Sequence, residues 1–542
     1  MKPQNLLPIQ LFAACLVGLL LGKFCFSTTK EKVELSLFNG RLSKMQAIIN
    51  IIDNKYVDVI NIDSLNELVI PDVLSRLDPH SAYIPSQKLN EAEKKLVGHF
   101  YGIGIENTVF DDTATVICVL QGGPARHADI MPGDKIIEID GINVTGPKAM
   151  DLVTSHIKGE CDTPVKVGLK RHGADSLIIT EIIRGSIPVP SASASYMTDS
   201  TTGYIKMESF GDYSHKEFVQ RVQRLRNDGA RNIIIDLRDN LGGRVEQAKR
   251  IASEILDYGD TIAFTIGRHH RIEDLFIDTT QSGACSGMNV ACLVDSHTAS
   301  AAEILSAAIQ DNDRGVIIGR RTFGKGLVQT PIQMPDGSQV RLTTLRYYTP
   351  SGRSLQKDYK DYENDLNNRY RNGELDSSSA FRAKDTTKYY TKHHRTVYSK
   401  SGVMPDIFIP IDRTQNTILD KIDSRLLTLQ FAADKYNQYQ YNNPQQFIQE
   451  LFSNEKSTFD ELITFAQHHG IAIDHRKDRK ELANIYNELI AWVKYDAYHI
   501  AGDNDMSTMY YNYNDPAINT ATEILNDNKQ LNNILNINTK NE

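Results

Sequence analysis

Two apolar segments, each followed by a segment with helical spacing, constrain the fold of this 542-residue chain more than any other feature. Residues Arg231–Arg238 have the apolar composition of a strand that is buried on both faces, and a helix is predicted from Val245 to Leu256. The same order recurs, with a strand over Asn289–Asp295 and a helix over Ala301–Gln310. Because strands alternate with helices, we predict an α/β core for this part of the chain.

The length is too great for one hydrophobic core and indicates about three or four domains. Near the start, Met45, Ile48, Ile52 and Tyr56 recur at helical spacing. The predicted fold class is a mixed α/β multidomain protein. Its segments are an apolar leader at 1–30, an N-terminal helical region at 31–97, a domain of short strands at 98–185, the α/β core at 186–412 and a helical extension at 413–542.

Two segments are more polar than the rest. Residues from about 358 to 400 contain Asp-Tyr, Ser-Ser-Ser and Lys-His-His runs, which predict a long surface insertion or partly mobile loop. The C-terminal extension is rich in Asn, Gln and Tyr, yet Ile485, Leu489 and Trp492 form a helical stripe. We expect helices there, with less order in the tail beyond about Asp503.

The first 30 residues predict export. Lys2 precedes a mainly apolar stretch from Leu6 to Leu21, about the length of a signal-peptide core or a short membrane anchor. No clear small-x-small cleavage site follows, so a removed signal peptide and an uncleaved anchor both stay open. We expect an exported protein, either periplasmic or membrane-anchored and facing the periplasm.

The net charge argues against a nucleic-acid partner, and the cysteine pattern argues against a metal site or a disulfide framework. The formal net charge is -8 and the chain has no long basic run, so we expect no nucleic-acid partner. The six cysteines are scattered without a CxxC pair, which gives no support for a metal site or a disulfide framework. A single bridge, from Cys118 to Cys161 or from Cys285 to Cys292, stays open. We expect neither a metal nor an organic cofactor.

The segment at 98–185 consists of short β-branched runs separated by glycine. Its elements are, in order, Gly102-Ile103-Gly104-Ile105, Gly122-Gly123-Pro124-Ala125 and Met131-Pro132-Gly133-Asp134. This order resembles a PDZ domain, in which a loop binds a terminal carboxylate through backbone N–H groups while the peptide adds as a strand. The resemblance implies a peptide-binding loop made of Gly102, Ile103, Gly104 and Ile105. For the first element alone, a plain hairpin with glycines at positive φ is the alternative.

Ser300 lies in Thr298-Ala299-Ser300-Ala301-Ala302-Glu303, at the predicted start of a helix. With Glu303 three residues later it fits a capping box, which is a purely structural role. The same position would also place its hydroxyl where the Ala301 N–H and the helix dipole stabilise a developing oxyanion. The local pattern is therefore consistent with a helix cap and with a nucleophile.

Lys325, in Phe323-Gly324-Lys325-Gly326, is the candidate base for that nucleophile. A lysine can take the proton of a serine only if its amine is neutral near pH 7, well below its ordinary pKa of about 10.4. Burial must supply that change, at a cost of about 4 kcal/mol. Gln329 offers an amide oxygen that could orient the amine without adding charge. The alternative for Lys325 is a solvated turn residue.

A second oxyanion donor is needed, and Asp239-Asn240-Leu241-Gly242-Gly243 follows the first apolar strand directly. Glycine lets a backbone approach a substrate carbonyl closely, so this loop is the candidate. A plain turn is the alternative.

These elements together resemble the C-terminal processing peptidases, also called tail-specific proteases, of serine peptidase family S41. The matching motifs run in order from about residue 70 to 412 and include Leu77-Asp78-Pro79-His80-Ser81, Asp236-Leu237-Arg238, Gly352-Arg353-Ser354-Leu355-Gln356 and Gly402-Val403-Met404-Pro405-Asp406. The resemblance implies Ser300 as nucleophile, Lys325 as general base and Gln329 as its orienter. It implies backbone oxyanion donors at Ala301 and at Gly242 or Gly243. Leu241 stands where the family often has proline, which leaves the choice of glycine open.

The resemblance implies a serine endopeptidase that recognises substrate C-termini through its PDZ domain and works through an acyl-enzyme. Its partners would be proteins or peptides with accessible C-termini, and a membrane tether and a homo-oligomer are both compatible with it. One alternative is a noncatalytic PDZ adaptor that keeps the peptidase fold. Another is a hydrolase that uses His297 and Asp295 beside Ser300, although three residues of one turn can hardly converge and Gly-x-Ser-x-Gly is absent. Acyl-CoA chemistry on a related core would need a phosphate-cradling motif, which the sequence lacks.

Overall fold

The structure is a computed structural model that divides into two compact units, residues 1–85 and residues 86–542. It describes residues 43–89, 99–359, 362, 364–380, 387–399, 401–411, 417–439 and 443–537. The predicted leader at 1–30 lies outside the described residues. In the part of the chain that is described, none of the helices has both the length and the hydropathy needed to cross a bilayer.

The first unit is helical over most of its described length. It contains α1 (Ser43–Lys55), α2 (Ile62–Ser75) and the short strand β1 (Ala82–Ile84). Asn61 caps α2, because its side-chain oxygen accepts a hydrogen bond from the Ser64 N–H at 3.0 Å.

The second unit begins with a domain of short strands. Its elements are β2 (His99–Gly102), β3 (Ile105–Phe110), β4 (Thr113–Val119), β5 (Lys135–Ile139), β6 (Ile142–Asn143), α3 (Ala149–Ile157), β7 (Pro164–Lys170), β8 (Ile178–Ile183) and β9 (Gly185–Pro188). One sheet has the order β3-β4-β5-β7-β8, β6 pairs with β5, and β2 pairs with β9. Val116, Ile136, Val153 and Val167 are fully buried in its core. Because β3 ends the sheet order, one of its edges carries no strand of that sheet.

The α/β core follows. Its strands as far as residue 348 are β10 (Ala192–Met197), β11 (Thr202–Met207), β12 (Asn232–Asp236), β13 (Thr261–Ile266), β14 (Ile272–Ile277), β15 (Asn289–Val294), β16 (Val316–Gly319), β17 (Leu327–Gln333) and β18 (Gln339–Tyr348). Its helices are α4 (Ser214–Asn227), α5 (Val245–Ser253) and α6 (Ala301–Asp311). The two strand-helix pairs predicted from the sequence are present, although α5 ends three residues before the predicted Leu256.

The predicted insertion at about 358–400 is more deeply integrated than expected. Its described parts are α7 (Asp365–Arg371), a 3-10 turn at Ser378–Ala380 and the strands β19 (Lys388–Tyr390) and β20 (Thr396–Tyr398), after which β21 (Ile407–Phe408) rejoins the core. Arg369 and Thr391 are buried, and Arg395 Nε lies 2.6 Å from Asp313 Oδ1. Most described residues of this segment are partly or fully exposed, as expected of a surface insertion. Arg369 and Arg395 nevertheless anchor it, because their side chains pair with polar groups of the core.

The C-terminal extension is helical. Its helices are α8 (Thr417–Asp423), α9 (Leu427–Tyr439), α10 (Pro444–Leu451), α11 (Glu455–His468), α12 (Arg479–Ile500), α13 (Asn504–Tyr511), α14 (Pro516–Asn526) and α15 (Asn528–Ile534). For the described residues up to 537, the expectation of less order beyond Asp503 is wrong, since α13, α14 and α15 all follow that residue.

The central sheet has the order β10-β11-β12-β15-β16-β21, and its strands are parallel from β11 onward. On one face, Ile233 and Ile235 of β12 share a buried cluster with Leu305 of α6. On the other face, Ile234 shares a cluster with Ile524 of α14. The tail is therefore the second covering layer of the sheet, which explains why β12 is apolar on both faces.

The domain of short strands also contacts the C-terminal extension. Phe110 and Ile117 share a buried cluster with Tyr436 of α9. Beside it, His499 Nε2 lies 2.7 Å from Glu106 Oε2. The hydrogen bond from His499 lowers the pKa of Glu106. Burial alone would lower the pKa of His499, but Glu106 overcomes that effect and raises it.

Replacing Ile524 tests whether the tail supports the sheet. Ile524→Ala leaves a cavity against β12, so we expect the free energy of unfolding to fall by about 2–5 kcal/mol. Asn519→Ala, on the exposed side of the same helix, should change it by less than about 0.5 kcal/mol. Chemical denaturation measures both, and equal small effects would contradict the packing described.

Asp496 of α12 makes stability depend on pH. Burial raises its pKa to about 7, so the folded state holds a proton that the unfolded chain has released. The stability from this group is complete below about pH 4 and is lost as the pH rises to about 7, at most about 4 kcal/mol. Asp496→Asn should therefore be increasingly more stable than wild type across that window in denaturation series. A constant difference between the two proteins would contradict this.

Candidate active site

Three loops meet at the carboxyl ends of β12, β15 and β16, which are neighbours in the sheet. The loop after β12 carries Gly242 and Gly243, the loop after β15 ends at Ser300, and the loop after β16 carries Lys325. The carboxyl edge of an open parallel sheet is where α/β proteins commonly bind ligands. The topology thus brings together the three segments that the sequence singled out.

Backbone hydrogen bonds join these loops directly. The Ala299 N–H donates to Asn240 O at 2.9 Å, and the Phe323 N–H donates to Thr298 O at 2.9 Å. The Thr298 hydroxyl donates to Leu237 O at 2.8 Å. The residues just before Ser300 are therefore tied to both neighbouring loops.

Ser300 occupies a strained position at the start of α6. Its φ of 56° and ψ of -115° lie outside the extended region that a helix cap normally uses. A positive φ is unfavourable for a residue with a Cβ, and such strain persists only where the surrounding structure enforces it. All residues of α6 are buried, so the helix is a rigid support. The conformation favours a functional role over a simple cap.

The Glu303 carboxylate connects the start of α6 with the Lys325 loop. Its Oε1 accepts from the Thr322 hydroxyl (2.5 Å) and from the Gly324 N–H (2.7 Å). Its Oε2 accepts from the Ser300 N–H (3.0 Å) and from the Lys325 N–H (2.7 Å). Because one oxygen binds both of the latter, the backbones of Ser300 and Lys325 lie side by side. Burial raises the pKa of Glu303 although these hydrogen bonds oppose the change.

Lys325 lies in the loop that Glu303 connects to Ser300, and Gln329 lies in the strand that follows this loop. Lys325 is half-buried, which agrees better with a base shielded from solvent than with a fully solvated turn residue. Gln329 is the third residue of β17 and faces Thr343 of β18. Its Nε2 donates to Thr343 Oγ1 at 3.3 Å, an orientation in which Oε1 is the atom left to accept. The catalytic roles of Lys325 and Gln329 stay predictions.

Gly242 lies directly against the start of α6. Its φ is 100°, and an added Cβ would come within 2.9 Å of Ser300 Cβ and 3.0 Å of Ala301 N. Gly243 has φ 143°, and a Cβ there would lie 2.4 Å from Phe210 O. Both positions therefore require glycine.

The two glycines differ in whether their N–H is engaged. The Gly242 N–H donates to Asn240 Oδ1 at 2.8 Å. For the N–H groups of Gly243 and Ala301, no acceptor is present among the described residues. The geometry therefore favours Gly243 with Ala301 as the pair of oxyanion donors, which the sequence had left open between Gly242 and Gly243.

Sequence analysis missed the part played by Asn240. The residue is completely buried, and its Nδ2 donates to Met207 O at 2.8 Å while Oδ1 accepts from Gly242. Its own carbonyl accepts from Ala299. Asn240 thus fixes the glycine loop to β11 and to the Ser300 loop, and only the three-dimensional contacts reveal this.

A partly buried ion pair connects the same loop to the tail. Arg238 Nη2 lies 2.6 Å from Asp236 Oδ2, and Arg238 Nη1 lies 2.6 Å from Asp515 Oδ2. Burial alone would raise the pKa of Asp236, but Arg238 and Lys206 overcome that effect and lower it to about 2. Asp515 immediately precedes α14, so the tail that covers the sheet also holds the loop that carries the glycines.

His297 and Asp295 do not form a catalytic relay with Ser300. His297 Nδ1 lies 2.9 Å from Asp239 Oδ1, and Asp295 Oδ1 accepts from the N–H groups of Asp239, His297 and Thr298. The ligand atoms of Asp239, Asp295 and His297 lie within 4.8 Å of one another. Their hydrogen bonds brace the turn that precedes Ser300.

The predicted peptide-binding loop lies between β2 and β3. Gly102 ends β2, Ile105 begins β3, and Ile103 and Gly104 connect them. Gly104 has φ 83°, and a Cβ there would lie 2.6 Å from Gly123 Cα, so the first two glycine elements of the sequence pack on each other. The Ala125 N–H donates to Ile103 O at 2.7 Å. The loop leads directly into the strand whose outer edge is open.

All four cysteines among the described residues are free. Neither of the bridges that the sequence left open forms, since Cys118, Cys161, Cys285 and Cys292 are all thiols. Burial raises the pKa of Cys118 to about 12, so this thiol is not a nucleophile near neutral pH.

Two family models match this chain. The PDZ domain matches residues 102–182, and peptidase family S41 matches residues 201–366.

Similar proteins carry related names. A carboxy-terminal-processing protease of Bartonella bacilliformis is 30% identical over 320 residues, which cover 58% of this chain and 73% of that protein. A probable CtpA-like serine protease of Staphylococcus haemolyticus is 29% identical over 315 residues, which cover 58% of this chain and 62% of that protein. The solved structure of a photosystem II D1 C-terminal processing protease aligns over 67% of this chain and 91% of that chain, at 24% identity and a TM-score of 0.36.

Glu303→Gln tests the carboxylate that links Ser300 and Lys325. An amide has one acceptor oxygen, and its NH₂ group would face N–H donors, so we expect the free energy of unfolding to fall by about 2 kcal/mol. Glu246→Gln, in the exposed first turn of α5, is the control and should have little effect in the same denaturation experiment. Were Glu303 protonated in the folded protein, glutamine would replace it at almost no cost, which would contradict the network described.

Proposed function

Because this chain belongs to the serine peptidases of family S41, the family of the carboxy-terminal-processing proteases, we propose that it is an endopeptidase that captures proteins by their C-termini. Its substrates would be proteins or peptides with accessible C-termini, which agrees with the PDZ domain at residues 102–182. The natural substrates would be selected by the residues at those C-termini.

In the proposed mechanism Lys325 removes the proton from Ser300, and Ser300 Oγ attacks the carbonyl carbon of the peptide bond. The oxyanion that forms is stabilised by the N–H groups of Ala301 and Gly243. The departing amine takes the proton from Lys325, and water then hydrolyses the acyl-enzyme. Gln329 orients the lysine amine through its side-chain oxygen.

One observation carries this proposal more than any other, the shared hydrogen bonds of Glu303. A Ser-Lys dyad requires two residues from distant parts of the chain to stay within reach, and proximity of this kind accounts for much of catalysis. A single carboxylate oxygen bonds the N–H of Ser300 and the N–H of Lys325. Strain at Ser300 supports the same assignment.

Substrate capture would use the open edge of β3. A peptide that adds there as a strand would have its terminal carboxylate beside Gly102, Ile103, Gly104 and Ile105. Tethering a substrate in this way raises its concentration near the active site. The unpaired edge of β3 in the sheet supports this mode of binding.

The same proposal includes export. The apolar stretch from Leu6 to Leu21 supports a signal peptide or membrane anchor, and the peptidase would then act in the periplasm, in free or tethered form. A homo-oligomer is compatible with this arrangement.

Replacing the two dyad residues tests hydrolysis directly. Ser300→Ala and Lys325→Ala should each lower kcat/KM for an unfolded substrate with a free C-terminus by about 10³-fold or more, because the two residues act as a unit. Lys216→Ala, an exposed position on α4, is the matched control. Binding of the substrate without turnover in wild type would identify a PDZ adaptor instead and overturn the proposal.

A further inference from the structure

The loop that carries Lys325 has no regular secondary structure, so its shape depends on partners for its backbone groups. On one side, Glu303 holds the N–H groups of Gly324 and Lys325. The opposite side presents the carbonyl groups of Arg321, Thr322 and Phe323. What binds these carbonyls decides how firmly the loop is fixed.

A single guanidinium from the insertion takes all three carbonyls. Arg369 Nη1 donates to Arg321 O (3.0 Å) and to Thr322 O (2.9 Å), and Nη2 donates to Phe323 O (3.2 Å). Arg369 lies on α7, beyond residue 366 where the S41 family match ends. A residue outside the matched region therefore binds the loop of the proposed base.

Two neighbouring residues support Arg369. Asp365 pairs with its guanidinium, and Lys357 binds the next carbonyl of the loop, that of Gly324. Asp365 Oδ2 lies 2.7 Å from Arg369 Nη2 and 3.2 Å from Lys357 Nζ. Lys357 Nζ lies 3.7 Å from the centre of the Phe323 ring, and the Lys357 N–H donates to Gly324 O at 3.0 Å. Arg369 and Lys357 together thus bind four successive carbonyls of the loop.

Burying the Arg369 charge is unfavourable for folding. This indicates that the residue has a role other than packing. Arg369 is almost completely buried, and its Nε has no hydrogen-bond partner among the described residues. Burial lowers the pKa of Arg369, and the nearby Arg321 adds to the effect. A desolvated, incompletely bonded charge destabilises the fold by itself. The planar fork of arginine brings two nitrogens to these three carbonyls, whereas a lysine would offer a single nitrogen.

We propose that Lys357, Asp365 and Arg369 form a clamp that positions Lys325, with Arg369 as the positioning residue. This inference rests on the proposed function of Lys325 as general base. The insertion would then not be a passive surface feature, because it sets where the amine lies relative to Ser300. A small displacement of the loop would weaken proton transfer without removing any catalytic group.

The test compares Arg369→Lys with the matched control Arg371→Lys in the full-length protein. Arg371 lies on the same helix and is exposed. Lysine keeps the charge but loses the fork, so we expect kcat/KM to fall by about 10²-fold in the first variant and to stay unchanged in the second. The acidic limb of its pH profile should also move to higher pH, because a displaced, hydrated amine holds its proton more tightly. A lower kcat/KM at every pH, with the acidic limb at the same pH as in wild type, would indicate a merely structural role for Arg369. That result would overturn the proposed clamp.

Hydrogen exchange provides a readout that is independent of activity. The amides of Gly324 and Lys325 should exchange faster in Arg369→Lys than in wild type or Arg371→Lys, and unchanged exchange would contradict the clamp. If wild type shows no Ser300-dependent cleavage, the proposed function is wrong. Hydrogen exchange at Gly324 and Lys325 then still shows whether Arg369 fixes the loop. If Arg369→Lys does not fold, Asp365→Asn, which keeps the arginine but removes its carboxylate partner, gives the same comparison.

Discussion

The buried carboxylate of Glu303 is the interaction on which the rest of the site depends. Its two oxygens accept four hydrogen bonds, from the start of α6 and from the loop after β16. Removing a carboxylate from water is unfavourable, and hydrogen bonds offset that cost only while every donor stays in place. Loss of one donor therefore destabilises the whole network. Because Ser300 and Lys325 supply two of the four donors, the same network holds their backbones together.

The wider fold supplies the rigidity that this network requires. Parallel strands deliver three loops to one edge, and contacts with other elements brace the glycine loop and the Lys325 loop. Asn240 fixes the glycine loop to β11, Arg238 connects it through Asp515 to the tail, and Arg369 grips the Lys325 loop. Two of these braces use residues beyond the end of the S41 family match, Asp515 of the tail and Arg369 of the insertion. The extra segments of this chain thus contribute to the geometry of the site.

The sequence predicts local features well and tertiary contacts poorly. The motif around Ser300, the glycine loop and the strand-helix order are local patterns, and the structure contains all three. The tail is harder to interpret, because Ile518, Ala521 and Ile524 form only a short apolar stripe in a segment rich in Asn and Thr, and its contact with the sheet is not a local pattern. The role of Arg369 could not be predicted, because a polar sequence does not reveal which distant carbonyls its side chains will bind. The engaged N–H of Gly242 likewise appears only in three dimensions.

The most direct test of the account is the rate at which a fluorophosphonate labels Ser300, followed by intact mass from about pH 5 to 10 in wild type and in Lys325→Ala. The account predicts that wild type is labelled at Ser300 with a rate that rises through one limb near neutral pH, and that the variant reacts slowly throughout this range. Equal labelling of the two proteins at every pH would show that Ser300 does not depend on Lys325, and would contradict the central claim.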